Sequence, residues 1–348
     1  MKINVGLVGY GLSGSVFHAP IIHGVEGMHL QAVVSSDAAK VNKDYPEVHV
    51  FADIDALVAQ SEIDLVVICS PNTTHYAYAK KAILAGKHVV AEKPFTVDTN
   101  EANELIALAR EHKVQLAVYQ NRRWDNDFLT IQSLLETGML GRLSTYEAHF
   151  DRYRPEVRNR WREQNLPGSG ILYDLGSHLI DQALYLFGKP QTVWADIRTE
   201  RDGGQSDDYF HLILGYPQLR VILHSGSLVK LAGPRYMLHG DKGSFVKYGL
   251  DPQEDQLKAG KHPGDSGWGE DLPELYGKLS TEVGGLPMEA IIGTLPGKYE
   301  AFYEGMAAAI RSGEAVPVSG EQARDTIRII ECAVQSHREQ RTIQLEAQ

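Results

Sequence analysis

A regular alternation of short apolar strands with helices runs through the first third of the chain and leaves few folds open. Ile3–Val8 is an apolar run, followed by helical character over Ser15–His23. His29–Val34 and Val48–Phe51 read as strands, and Ile54–Gln60 as a helix. Leu65–Cys69 is continuously apolar, the pattern of a strand covered on both faces. A helix over Thr74–Ala85 is stopped by Gly86, and Val89–Glu92, a helix over Asn100–His112 and the strand Val114–Tyr119 close the series. Strand–helix alternation of this kind implies a doubly wound parallel sheet.

The pattern changes after Tyr119. A helix is expected over Phe128–Thr137, with Asp127 as its N-cap and Gly138 as its stop. Leu143–Asp151 alternates polar with apolar, and Ile171–Phe187 carries Leu172, Leu175, Leu179, Ala183 and Leu186 at helical spacing. Strands then follow one another without helices: Thr192–Thr199, Tyr209–Leu214, Leu219–His224, Arg235–Leu238 and Ser244–Tyr248. That order implies a largely antiparallel sheet in an α+β domain. A chain of 348 residues has room for two domains, and we place them at residues 1–120 and 121–348. Residues 249–297 hold ten glycines and five prolines. Such a segment is either a functional lid or contact loop, or an ordered excursion with short helical turns. Tyr299–Arg311 and Glu321–Arg338 are amphipathic helices.

Chemistry enters at Gly9-Tyr10-Gly11-Leu12-Ser13-Gly14. This G-x-G-x-x-G directly follows a strand and opens a helix, the context in which such a loop cradles a dinucleotide pyrophosphate. An NAD site usually ends its second strand with a carboxylate for the ribose 2′-hydroxyl. Here Ser35 and Ser36 stand instead, with Asp37 next and Lys40 and Lys43 beyond. Two hydroxyls suit a 2′-phosphate that a carboxylate would repel, which points to NADP rather than NAD. Asp37 turned inward onto the ribose is the alternative.

Glu92-Lys93-Pro94 ends a strand of the parallel sheet, where ligands of such sheets bind. Lys93 can there hydrogen-bond a substrate oxygen and stabilise developing negative charge; a solvated surface lysine is the plainer reading. In Tyr173-Asp174-Leu175-Gly176-Ser177-His178, residues 174 and 178 share one face of a helix. A histidine suits removal of a hydroxyl proton at neutral pH, and the carboxylate can hold a neighbouring hydroxyl. The plainer reading makes Asp174 a helix cap and His178 a core residue. Asn121-Arg122-Arg123-Trp124-Asp125 and the arginine-dense stretch Arg152–Arg162, with Tyr153 and Trp161, suit a polyhydroxylated ligand. An ion-paired surface is their alternative.

Together these motifs resemble the glucose–fructose oxidoreductase/inositol dehydrogenase (Gfo/Idh/MocA) family over essentially the whole chain. The resemblance implies an N-terminal Rossmann domain, a C-terminal α+β domain with a large open sheet, and NADP(H)-dependent conversion of a cyclitol or sugar alcohol, scyllo-inositol above all, to its ketone. It implies Lys93, Asp174 and His178 as the catalytic set. It also implies cofactor contacts from Gly9, Gly11, Leu12, Ser13, Gly14, Ser35, Ser36, Ser70, Pro71, Asn72, His75, Glu92, Lys93, Trp161 and Arg162. Substrate contacts are expected from Asn121, Arg122, Tyr153, Asp174 and His178. Dimers or tetramers are expected through the open face of the second sheet. Another aldose, ketose or diol as substrate, or a non-catalytic NADP(H) sensor, are the competing functions.

The charge balance, 34 basic against 45 acidic residues for a net −11, argues against nucleic-acid or anionic-membrane partners. Cys69 and Cys332 are far apart and no zinc spacing exists, so no metal is expected. With no apolar stretch of membrane-spanning length and a strand beginning at Ile3, a cytoplasmic protein is expected.

Overall fold

The computed structural model describes residues 2–345; Met1 and the last three residues of the expected second domain lie outside that range. The chain forms two compact units. Among the described residues, one comprises residues 2–124, 253–268 and 298–327, and the other residues 125–252, 269–297 and 328–345.

The first unit is built on a six-stranded parallel sheet: β1 (Ile3–Val8), β2 (Met28–Val34), β3 (His49–Phe51), β4 (Leu65–Ile68), β5 (His88–Ala91) and β6 (Leu116–Val118). Their order is β3-β2-β1-β4-β5-β6. The order reverses direction between β1 and β4, which opens a crevice at the carboxyl ends of those strands. Every side chain of β4 is fully buried, as its unbroken apolar run requires. The helix Thr99–Glu111 starts where it does because Asp98 accepts the Asn100 and Glu101 amides. A helix over Ala38–Asp44, not expected from the sequence, is started likewise by Asp37, which accepts the Lys40 amide at 2.9 Å. The helix Glu300–Ser312 belongs to the same core, its Phe302 and Tyr303 packing on Tyr119 with ring centroids 4.9 and 5.7 Å apart.

The second unit holds a nine-stranded sheet of β7 (Leu143–His149), β8 (Thr192–Arg198), β9 (Tyr209–Gly215), β10 (Arg220–Gly226), β11 (Tyr236–Gly240), β12 (Gly243–Lys247), β13 (Gly277–Val283), β14 (Leu286–Ile292) and β15 (Ile343–Gln344). The order is β14-β13-β12-β11-β7-β10-β9-β8-β15. Only β7 with β10 runs parallel; the other pairs are antiparallel. Alternate residues such as Tyr146, Ala148, Leu212, Leu223 and Tyr236 are buried. The helix Ser177–Phe187 covers that face, Tyr236 donating to Gln182 Oε1 at 2.9 Å and Phe187 meeting Tyr146 edge-on. The intervening residues leave the opposite face half-exposed.

Of the two readings of the glycine-rich segment 249–297, the ordered excursion is the one formed, and beyond short helical turns it contains the hairpin β13–β14, turned by Gly284-Gly285, which widens the sheet. Both turn glycines take positive φ, which a two-residue hairpin turn demands. Two expectations are corrected. The helix Asn126–Glu136 begins at Asn126, and Asp127 is not its cap: it is buried, 3.7 Å from Arg235 Nε. The expected helix 171–187 opens with a π-helical turn over Leu172–Gly176 before the α-helix Ser177–Phe187. No helix among the described residues is long and apolar enough to cross a membrane.

Candidate active site

In the first unit the loop after β1 is shaped by its glycines. Gly9 has φ +102°, and a Cβ there would stand 3.1 Å from the Cys69 carbonyl oxygen. A Cβ on Gly14 would lie 2.1 Å from the Gly9 carbonyl oxygen, so only glycine closes this turn. A Cβ on Gly11 meets nothing within 4 Å. The space beside Gly11 is therefore free for a ligand, and the loop fits a dinucleotide pyrophosphate approached by bare backbone. Leu12 is exposed at the same turn.

Ser13 ties this loop to the end of β5. Its hydroxyl donates to Glu92 Oε1, which also accepts His18 Nε2 at 3.0 Å, while Glu92 Oε2 accepts the Lys93 amide at 2.8 Å. The other imidazole nitrogen, His18 Nδ1, is 2.5 Å from the Tyr303 hydroxyl. Burial pushes the Glu92 carboxyl up, but the hydrogen bond and charge of His18, then the Lys93 charge and the Ser13 hydroxyl, outweigh it and hold the group at about 2. Glu92 is thus an anion that fastens the glycine loop, the first helix and the Lys93 backbone together. His75, buried, performs a similar join, its ring nitrogens lying 2.8 Å from the Pro94 carbonyl and 3.0 Å from that of Ser70. Ser70 Oγ bonds Thr74 at 2.6 Å, and Asn72 is buried in the short turn Asn72–Thr74 that Pro71 precedes.

At the end of β2, Ser35 Oγ accepts the Asp37 amide at 3.1 Å, and Ser36 is exposed. One oxygen of the Asp37 carboxylate, Oδ1, is engaged as the helix cap. Lys40 reaches back to the Tyr10 carbonyl at 3.0 Å, which places a cation beside the glycine loop.

In the second unit, Asp174 lies on the π-helical turn with Oδ1 3.4 Å from Arg162 Nε. Arg162 stacks on Trp161, 4.4 Å from the ring centre. His178 is buried on the following helix. Arg152, Arg154, Arg160, Arg162 and Arg201 line one small polar pocket together with Asp174. Its cations are partly neutralised: Arg201 pairs with Asp208 at 2.8 Å and with Glu163 at 3.3 Å.

Residues 3–120 match the family described as "Oxidoreductase family, NAD-binding Rossmann fold", and residues 132–345 match its "C-terminal alpha/beta domain". The chain belongs to the Gfo/Idh/MocA oxidoreductase family. It is 46% identical over 344 residues to the scyllo-inositol 2-dehydrogenase (NADP(+)) IolW of Bacillus subtilis, covering 99% of this chain and 96% of that one. The inositol 2-dehydrogenase of Rhizobium meliloti is 27% identical over 357 residues, 99% of this chain and all of the other. The solved oxidoreductase yvaA of Bacillus subtilis superimposes with a TM-score of 0.97 at 46% identity, covering 99% of both chains.

As an oxidoreductase of this family, the chain places several expected ligand contacts in settings that sequence did not reveal. Arg122 is buried and its Nη2 donates to Glu254 at 2.6 Å. Burial raises the Glu254 carboxyl, but Arg122 and then Lys258 outweigh it and hold it at about 2. Asn121 and Arg122 sit on a short 3₁₀ turn after β6. Tyr153 is half-exposed, with the Lys230 ammonium 5.3 Å from its ring centre. His18, Tyr303 and Glu254 are the partners that the sequence motifs did not reveal. The only signal for Glu254 was a carboxylate at the start of a helical stretch inside the glycine-rich segment.

Proposed function

We propose that this oxidoreductase interconverts a secondary alcohol of a cyclitol or sugar, scyllo-inositol and scyllo-inosose in the first instance, with NADP(H) as co-substrate. The observation that carries the reading is the Glu92 network, which builds the glycine loop and Lys93 as one structural piece. The substrate comes from the full-length likeness to a protein named scyllo-inositol 2-dehydrogenase (NADP(+)). Residues 1–120 are assigned to the cofactor, their unit completed by residues 253–268 and 298–327, and the rest of residues 121–348 to substrate binding and to assembly as a dimer or tetramer through the half-exposed sheet face, in the cytoplasm.

A bound nicotinamide would supply the hydride exchange. Gly9, Gly11, Leu12, Ser13 and Gly14 hold the pyrophosphate, and Ser70, Pro71, Asn72, His75, Glu92 and Lys93 line the neighbouring strand ends. Ser35, Ser36 and Lys40 take the 2′-phosphate, a choice favoured by the capping role of Asp37. Lys93 hydrogen-bonds the reacting oxygen and stabilises the alkoxide character that develops on it. His178 takes the hydroxyl proton during oxidation and returns it during reduction. Asp174 accepts a neighbouring hydroxyl, and Asn121, Arg122 and Tyr153 orient the remaining hydroxyls. Trp161 and Arg162 act as a stacked pair against the cofactor.

The test is turnover of scyllo-inositol with NADP+ by the wild type, Lys93→Ala and His178→Ala. General acid–base catalysis contributes roughly 10²–10⁴-fold and one donor to a developing oxyanion about 10²–10³-fold, so each variant should lose at least about 100-fold in kcat. Near-wild-type turnover in both would overturn the assignment of roles.

A further inference from the structure

On the half-exposed face of the nine-stranded sheet, β7 and β10 run parallel with His149 directly beside His224, and β9 sets His211 beside His224. Side chains two residues apart on a strand return to the same face. Glu147 and the following Asp151 therefore flank His149. Asp151 Oδ2 is 3.1 Å from His149 Nδ1, and Asp151 Oδ1 is 2.8 Å from His224 Nδ1. The carboxylate is itself fixed, Oδ1 accepting the Gly226 amide at 3.0 Å.

Three imidazoles in one row with two carboxylates can pair charge across neighbouring strands. They are also a good way to hold a metal. His149, Asp151 and His224 offer one ligand atom each, all within 4.8 Å of one another. Around a tetrahedral ion with bonds of about 2.1 Å, neighbouring ligand atoms stand ~3.4 Å apart. His149 lies 3.1 Å from one Asp151 oxygen and His224 2.8 Å from the other, so the carboxylate must turn for a single oxygen to serve as ligand beside both imidazoles. His149 also has the outer contact such ligands need: its Nε2 is 2.7 Å from Glu147 Oε1, which leaves Nδ1 to face the ion. In the single chain the side chains of His149, Asp151 and His224 are 20%, 8% and 15% exposed, so the ligands are held firmly by their neighbours.

We propose that His149, Asp151 and His224 form a site for a divalent transition ion of the zinc type, with Glu147 orienting His149 and the fourth coordination position left open. Two imidazoles and one carboxylate match zinc, cobalt(II) or nickel(II) rather than magnesium or calcium, which prefer all-oxygen shells. The set is invisible in the sequence because its ligands are joined by strand pairing and not by a short spacing.

The test uses the full-length protein without a histidine tag. Zn2+ is titrated by calorimetry, and Co2+ is titrated by its visible absorption. One equivalent of each is expected per chain, with a Co2+ band of tetrahedral or five-coordinate intensity. Asp151→Asn and His224→Ala should weaken Zn2+ by at least roughly 30-fold, and Glu147→Gln by about 10-fold, the usual effect of losing an outer-shell partner. His239→Ala, an exposed histidine on β11 outside the cluster, should bind as the wild type does. Unchanged dehydrogenase turnover and circular dichroism show that the variants are folded. Absence of stoichiometric binding, or equal binding by Asp151→Asn, His224→Ala and the wild type, overturns the proposal.

Discussion

Replacing Glu92 by glutamine tests the reasoning about the first unit most directly. The change preserves shape and removes the charge. Glu92 moves from an ordinary value of 4.5 to about 2 in the folded protein. Each tenfold change in proton affinity corresponds to about 1.36 kcal/mol, so the folded state's preference for the anion contributes ~3 kcal/mol at neutral pH. The side chain is only 14% exposed, so solvent screening removes little of this. Glutamine also brings two N–H donors where three donors already converge: Ser13, His18 and the Lys93 amide. One donor is then left without an acceptor, a loss of about 1–3 kcal/mol that overlaps the first.

The pH dependence fixes the sign. A carboxyl depressed in the folded state gives stability that is complete above its unfolded value and is lost as pH falls toward its folded one. The contribution therefore stands at ~3 kcal/mol at pH 7 and shrinks to a little over ~1 kcal/mol by pH 3. Urea unfolding of the wild type and Glu92→Gln at both pH values measures this. The gap between the two proteins should be about 2–3 kcal/mol at pH 7 and should narrow by roughly half at pH 3. Equal midpoints at pH 7, or a gap that widens on acidification, would refute the assignment of Glu92 as the buried anion of the site.

Ser36→Asp should lower kcat/KM with NADP+ roughly 100-fold relative to NAD+, because a carboxylate there repels the 2′-phosphate; an unchanged ratio counts against that phosphate lying at the end of β2. Gly11→Ala and Gly14→Ala should separate: the first leaves thermal stability within about 0.5 kcal/mol of wild type but weakens NADPH binding in a fluorescence titration, whereas the second destabilises the protein even without cofactor. Asp207, which accepts the Leu172 amide at 2.7 Å, is lifted to about 6, chiefly by burial. Its folded state holds the proton more tightly than the unfolded chain, so it should subtract up to ~3 kcal/mol as pH rises from 4 to 7, and Asp207→Asn should flatten that part of the stability profile.

The parallel sheet was legible because its signals are local. The run Leu65–Ile68, the stop at Gly86 and the glycine loop after Val8 each carry their meaning within a few residues. Lys93, Asp174 and His178 were legible as motifs, though the π-helical turn under Asp174 leaves no mark in an apolar pattern that also fits a regular helix. What escaped depends on distant pairing. Glu92 reads as part of a triplet, but its state is set by His18, 74 positions earlier, and His18 is positioned by Tyr303, 285 positions beyond it. The helix after Asp37 and the hairpin at Gly284-Gly285 did leave signals, a capping aspartate and a two-glycine turn. Both were outweighed, the first by a short polar helix with only Val41 buried and the second by the glycine and proline content around it.

The return of residues 298–327 to the first unit has a consequence for how the protein is made. Tyr299, Phe302, Tyr303 and Met306 are fully buried in the same core as β1 and β4. When the ribosome has released the first 124 residues, the whole parallel sheet has emerged while part of its aromatic filling is still untranslated. At ~5–20 residues per second, the missing helix follows roughly ten to forty seconds later. During that interval the nascent sheet exposes the apolar surface that Phe302 and Tyr303 will cover. A fragment ending at residue 124 keeps that surface bare permanently, so the nucleotide-binding half of this enzyme is not a portable module.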